Sequence, residues 1–282
     1  MASIPAAART PSRRRMKGAV NGSASSGAAP RVPPGGNALY VYGIVRTGTD
    51  LEITTAGLDD RWPVRTIEHN GLAAVVSEVT SGTPASTRGN LLAHERVNAA
   101  VLENRTVVPM SFGTVFRSRA DVVELLRTAH DAFDDVLDKM HDKREFGLKV
   151  FWDREAMIAS IARQDDEIRI LREEITGRLE TGLASRLEYG CLVDAALARH
   201  AEERVTEILD RLRDVCVASR TNPAVGDRMV LNAAFLVERG QEQAFDRCVQ
   251  AIAGDHAELT FQYTGPWPPY NFVAIRLKVG QP

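Results

Sequence analysis

The sequence predicts an α+β chain of two domains behind a disordered, basic tail. Three observations predict it. Strand-like runs with a hairpin signal come first, helical stretches follow them, and a strand, helix and strand series closes the chain after a long helical region. The 282 residues and 30.9 kDa suit one large domain or two ordinary ones. With 44% hydrophobic and 26% charged residues the chain can build a core without metals or disulfides. That composition excludes a collagen-like, disulfide-stapled or wholly disordered chain. No apolar run approaches the ~20 residues that cross a bilayer as a helix.

The formal charge of -2 hides an asymmetry. Residues 1–37 hold Arg9, Arg13, Arg14, Arg15, Lys17 and Arg31 and no acid, a charge of +6. The remaining 29 bases face 37 acids, a net of -8, which does not suit a nucleic-acid-binding body. Residues 1–37 are rich in Ala, Ser, Gly, Pro and Arg and read as disordered, since they carry too little apolar surface to offset ordering entropy. A transit peptide and a basic arm for an anionic surface are the alternatives. A secretory signal is excluded, because no apolar stretch follows Arg13-Arg14-Arg15. Three cysteines, Cys191, Cys216 and Cys248, argue against a disulfide framework and suit a reducing cytoplasm. Each lies among apolar residues and reads as a buried small hydrophobe.

The N-terminal domain is expected over 38–145. Leu39 to Val45 is β-branched and aromatic, hence a buried strand. Val64 to Glu68 and Leu72 to Val79 flank His69-Asn70-Gly71, and Asn-Gly between apolar runs is the strongest short hairpin signal. Leu72 to Val76 is apolar throughout, which places that strand centrally. Asn90 is the expected cap of a helix running to about Arg105. Val107 to Phe116 is apolar but interrupted by Pro109 and Gly113, so it reads as an edge strand or an ordered loop. Ser118 and Asp121 open an amphipathic helix whose apolar positions run from Val122 to Met140.

The C-terminal domain is expected over 146–282. Phe146 to Trp152 reads as a strand. Ile158 to Leu179 and Leu187 to Val215 carry apolar residues at heptad-like spacing, and Gly177, Gly182 and Gly190 weaken the junction between them. This predicts a long helical hairpin with coiled-coil character. Met229 to Glu238 is a strand, Gln241 to Ala253 a helix, Glu258 to Tyr263 a strand and Asn271 to Val279 a last extended segment. The strand, helix and strand run fits a ferredoxin-like half.

Sites with recognisable chemistry are few. No glycine-rich phosphate loop, no Cys-x-x-Cys and no nucleophile elbow occurs. His94-Glu95 is not completed as a zinc motif, because Asn98 stands where the second imidazole is needed. No cofactor and no enzymatic activity are expected. The enzymatic alternative is an unrecognised site near His94, Glu95 and Arg105. Two segments stand out for binding instead. One is Val108 to Phe116. The other, Gly265-Pro266-Trp267-Pro268-Pro269-Tyr270, sets two large aromatics on a stiff backbone, either as a turn packed on the core or as a preorganised anchor. The candidate partner-binding residues are Pro109, Phe112, Phe116, Trp267 and Tyr270.

An ordered set of residues carries a family resemblance. It consists of Leu39 to Val45, Leu72 to Val79, His94-Glu95, Val108-Pro109-Met110, Phe112 to Phe116, and Thr264-Gly265-Pro266-Trp267-Pro268-Pro269-Tyr270-Asn271-Phe272. Running from about Leu39 to Val279, it resembles the gas vesicle protein F and L family. The chain departs at Ser111, where the family pattern has Arg before Phe-Gly-Thr, and in its long basic tail. The resemblance implies two α+β domains, the first ferredoxin-like and the second carrying the helical hairpin. It implies no enzymatic activity. It implies a cytoplasmic protein associated with gas vesicles, whose partners are the shell protein (gas vesicle protein A) and other accessory proteins. A prokaryotic source would demote the transit-peptide reading.

Overall fold

The computed structural model describes residues 38–48, 52–80, 82–177 and 183–273. The basic tail over 1–37 and the expected extension beyond Val273 lie outside them. Two antiparallel sheets organise the rest.

The first sheet is built on β1 (Ala38–Arg46). One side of β1 pairs with β3 (Leu72–Val79), which pairs in turn with β2 (Arg65–His69). Asn70 and Gly71 turn the hairpin at φ 45° and 82°, the two positive angles a type I′ turn needs. The other side of β1 takes two short strands, β4 (Val108–Pro109) and β5 (Val115–Phe116). The Pro-interrupted segment is therefore a broken edge. β1 is apolar throughout because both its faces are covered. Leu39, Val41 and Ile44 join the core beneath α2 (Arg119–Thr128) and α3 (His130–Lys139). Tyr40, Tyr42 and Val45 join the one beneath α1 (Arg88–Asn104).

Two helix boundaries differ from expectation. The cap of α1 is Thr87, whose hydroxyl accepts from the Asn90 N–H at 3.2 Å. Asn90 lies inside the first turn and donates to the Ala85 carbonyl at 2.9 Å. The single helix expected from Val122 to Met140 is two, α2 and α3, parted at Ala129 with φ -107° and ψ 16°. Thr128 donates back to the Glu124 carbonyl at 2.8 Å, a contact that bends helices, and the break lets both halves lie on one curved sheet.

The second sheet has β6 (Lys143–Trp152) at its centre. Its order is β7 (Ala218–Thr221), β8 (Met229–Glu238), β6, β9 (Leu259–Trp267). β7 was not expected; it is four residues, mostly exposed and without the apolar alternation that would mark it. Between β6 and β7 come α4 (Arg154–Gln164), α5 (Asp166–Gly177) and α6 (Leu183–Leu212). The expected first long helix is thus divided at Asp165, whose carboxylate accepts from the Ile168 N–H at 3.2 Å. Gly190 sits inside α6, not at a junction. α7 (Glu242–Asp255) buries Phe245, Val249 and Ile252 against the sheet. Phe146, Leu148, Ile161, Ile168, Leu197, Ile208 and Phe235 complete this core.

The cysteines correct another expectation. Cys191 is exposed, and Cys216 and Cys248 are half-buried. Cys191 follows Gly190 on the outer face of α6, where apolar sequence neighbours point elsewhere around the helix.

The two sheets share one order. In each, a hairpin lies beside the first strand of the unit, and the last strand lies on that strand's other side. Among the described residues no helix lies between β1 and its hairpin, whereas α4, α5 and α6 make the corresponding connection in the second sheet.

Candidate functional site

The residues set apart in the sequence converge on His94. α1 presents His94 and Asn98 one turn apart, toward the face of β1 that carries Tyr40 and Tyr42. The Tyr40 hydroxyl meets His94 Nδ1 at 2.8 Å, and Asn98 Nδ2 lies 3.1 Å from His94 Nε2. Asn98 Nδ2 also approaches the Tyr42 carbonyl at 3.2 Å and the Tyr270 hydroxyl at 3.3 Å. Two N–H groups donate into the cluster, from Gly113 to the Tyr40 hydroxyl and from Leu58 to the Tyr42 hydroxyl. The Phe112 ring lies 5.9 Å from the imidazole and the Tyr270 ring 6.4 Å. Segments that follow β4 and β9 therefore meet on one helical turn.

Close backbone approach makes this possible. A Cβ at position 43 would stand 2.6 Å from Val107 Cγ2 and 2.8 Å from Asn98 Oδ1, so only glycine fits there. β1 shifts register between Val41 and Gly43 at the same place.

Burial dominates the electrostatics. It lowers the pKa of His94 to about 4, so the imidazole is neutral at pH 7. Burial also pushes the Tyr40 and Tyr270 hydroxyls well above the usual phenol range, and the Glu95 carboxylate beside Tyr270 adds to the second shift. Glu95 itself is raised by burial, against the hydrogen bond from Tyr270. Glu145, on β6, is raised by burial as well. Asn271 opposes that shift, donating its backbone N–H to Glu145 at 2.7 Å and its side-chain amide at 2.6 Å. Residues 268–273 form a strap: Pro268 and Pro269 are buried, Asn271 grips Glu145, and Val273 rests on the core beneath α2 and α3.

Phe112 and Tyr270 thus come together at His94. Pro109 is buried and paired with Gly43, so it shapes the edge of the sheet. Phe116 is half-buried on the opposite face of the first sheet, and Trp267 is half-buried at the end of β9, opposite Glu145. Ser111 is exposed in the turn before Gly113. Three contributors went unrecognised in the sequence. Asn98 could have been found from its one-turn spacing to His94. The Glu145 and Asn271 pair left no signal, because the two are 126 positions apart. Leu91 and Leu92, in the first turns of α1, are 42% and 48% exposed and add apolar surface to the same helix.

The cluster offers chemistry little freedom. Both His94 ring nitrogens are engaged, and among the described residues no group of three His, Cys, Asp or Glu could hold a metal ion. A 310 Å³ open cavity lies elsewhere, lined by Arg46, Leu102, Arg105, Lys143 and Arg144 among others. Among the described residues no helix is long and apolar enough to cross a membrane.

A profile described as gas vesicle synthesis protein GvpL/GvpF matches residues 38–274, the stretch that contains both sheets and the strap. The chain belongs to the gas vesicle synthesis protein GvpL/GvpF family. Gas vesicle protein F1 of Halobacterium salinarum is 33% identical over 246 residues, covering 86% of this chain and 96% of that protein. Gas vesicle protein F of Haloferax mediterranei is 30% identical over 247 residues, with the same 86% and 96% coverage. The crystal structure of GvpF from Anabaena shares the fold, with a TM-score of 0.77 at 24% identity over 86% of this chain and 100% of that one. Membership in the GvpL/GvpF family gives the chain a role in gas vesicle assembly, and the mixed helix and antiparallel sheet architecture is that of the solved GvpF structure.

Proposed function

We propose that the chain is a non-enzymatic accessory protein that binds the hydrophobic shell protein, gas vesicle protein A, and other accessory proteins during nucleation or early growth. It would work in the cytoplasm, on or beside the growing vesicle. A shell that keeps water from a gas space needs subunits with an apolar face, and such a face aggregates before assembly unless it is covered. The observation that carries the reading is the apolar surface on and beside α1. Leu91 and Leu92 are exposed there, and Phe112 packs half-buried against His94 one turn on.

Phe112, Phe116 and Trp267, all half-buried, are the residues proposed to touch a partner. Pro109 and Tyr270 act through the edge and the strap they hold in place. A structural role for His94 is supported by the engagement of both its ring nitrogens. We further read the halves 38–145 and 146–282 as two domains, the first ferredoxin-like but without its first helix among the described residues, the second holding the helical hairpin. The strand order common to both sheets supports that reading. Co-purification with the shell protein tests the function. Retention by the wild-type chain and loss on Leu91→Ser/Leu92→Ser are expected; no retention by the wild type overturns it.

A further inference from the structure

Edge strands invite further pairing, and most of those here are blunted. β2 carries Arg65, Glu68 and His69. β4 and β5 are two residues each, and Pro109 stands in the first. β7 is four residues long and includes Arg220. β9 is different. It runs nine residues, Leu259–Trp267, and contains no charged side chain. It pairs with β6 on one side, and among the described residues no strand pairs with the other. Its Pro266 and its register shift both lie past Thr264, so Leu259 to Thr264 keep regular ladder register.

The exposed stretch is also self-complementary. Thr260-Phe261-Gln262-Tyr263-Thr264 reads alike in both directions about Gln262 in residue class. Thr260, Gln262 and Thr264 are exposed, while Phe261 and Tyr263 pack partly on the core under α7. Laid antiparallel on a second copy, with a twofold axis at Gln262, Thr260 falls opposite the second copy's Thr264 and Phe261 opposite its Tyr263. Gln262 meets itself. A twofold interface requires a patch that complements itself, and this one does so with no like charges in register. Cross-strand aromatic and Thr–Thr pairs are favourable at these positions.

We propose that β9 is a homodimer edge, through which two copies pair antiparallel about Gln262 and join their four-stranded sheets into one of eight. A second copy is the occupant because the strand is charge-free and its residue classes match their own reverse. The paired length is roughly 20 Å. Such a ladder alone falls short of the ~1,200 Å² of a standard stable interface, so the dimer is reversible and dilution separates it. This goes beyond the proposed binding of shell protein and does not depend on it.

Sedimentation equilibrium of the full chain between about 1 and 300 µM tests the proposal, a range that spans weak association. The wild type is expected to shift from monomer to dimer with concentration. Gln262→Lys sets like charges face to face at the axis and should weaken dimerisation about tenfold or more. T260K/T264K, with like charges opposed at both ends, should remain monomeric. T260K/T264E sets opposite charges across the seam and should dimerise as well as the wild type. The three positions are exposed, and circular dichroism confirms that each variant is folded. A wild type that stays monomeric throughout, as it would if this edge served another partner's strand, overturns the proposal. So do two double variants that behave alike.

Discussion

Tyr40 and His94 are 54 residues apart in the chain, yet the tyrosine hydroxyl lies 2.8 Å from the imidazole Nδ1. This contact ties the central strand β1 to α1 inside a region sealed from water. Because the fold lowers the pKa of His94 from 6.5 to about 4, the folded protein favours the neutral ring. Its contribution to stability is complete above pH 6.5 and is lost as pH falls from 6.5 to about 4. The loss should amount to roughly 3 kcal/mol over that window. Urea midpoints measured at intervals across it should fall steadily for the wild type. His94→Gln should flatten the profile, although it lowers stability at neutral pH. Parallel profiles for the two proteins would refute the assignment.

Glu145 should behave in the opposite sense. Its folded pKa is raised above 4.5 by burial, so the ionised carboxylate weighs against folding at neutral pH and stability from this group grows as pH drops toward 4.5. Glu145→Gln keeps an acceptor for the Asn271 N–H and removes the charge. It should match or exceed wild-type stability at pH 7 and lack the acid-side gain. Asn271→Ala removes the side-chain amide donor from the buried carboxylate and leaves the backbone N–H in place. It should cost about 1–3 kcal/mol at pH 7, and less near pH 5. Thermal unfolding at both pH values distinguishes these outcomes, and limited proteolysis after residue 267 should report a loosened strap in Asn271→Ala alone.

Two glycines should respond with opposite sign to the same substitution. Gly43→Ala drives a methyl against Val107 and Asn98 in a packed interior and should destabilise by about 1–3 kcal/mol. Gly190 lies within α6, and nothing stands within 4 Å of an added Cβ. Gly190→Ala should stabilise by roughly 0.5–1 kcal/mol, because alanine loses less backbone entropy in a helix. Chemical denaturation of each variant beside the wild type checks the pair, and equal shifts would count against the packing described at Gly43.

Partner-binding substitutions should separate surface from scaffold. Leu91→Ser/Leu92→Ser alters exposed positions and should leave the unfolding midpoint within about 0.5 kcal/mol of wild type. Its affinity for shell protein should nevertheless fall about tenfold or more. Phe133→Ala, fully buried on the inner face of α3, should lower stability by about 3–5 kcal/mol. A binding titration on folded variants tests the contrast. Unchanged affinity in the leucine double variant would remove α1 as the docking helix.

The α+β character and most strands could be read from local pattern alone. Leu39 to Val45 of β1 and Leu72 to Val76 of β3 showed as apolar runs because both strands are covered on two faces, and Asn70-Gly71 marked its turn because few residue pairs tolerate two positive φ angles. Helix continuity could not be read so well. The apolar period runs through Ala129 and Asp165 unchanged, since each pair of helices buries its apolar face in a shared core. Periodicity reports burial and is silent on where a backbone bends. Cysteine exposure failed for a related reason, as sequence neighbours in a helix point in different directions.

Sequence by itself determined most of the strands, the hairpin turn and the segments worth watching around Phe112 and Tyr270. Tertiary structure alone decided that those segments meet at His94, that Asn271 grips Glu145, and that among the described residues no strand pairs with the second side of β9. The physical reason is range. Side-chain period and turn chemistry act over a few residues, whereas the Asn98–Tyr270 contact joins positions 172 apart and exists only once both sheets have closed.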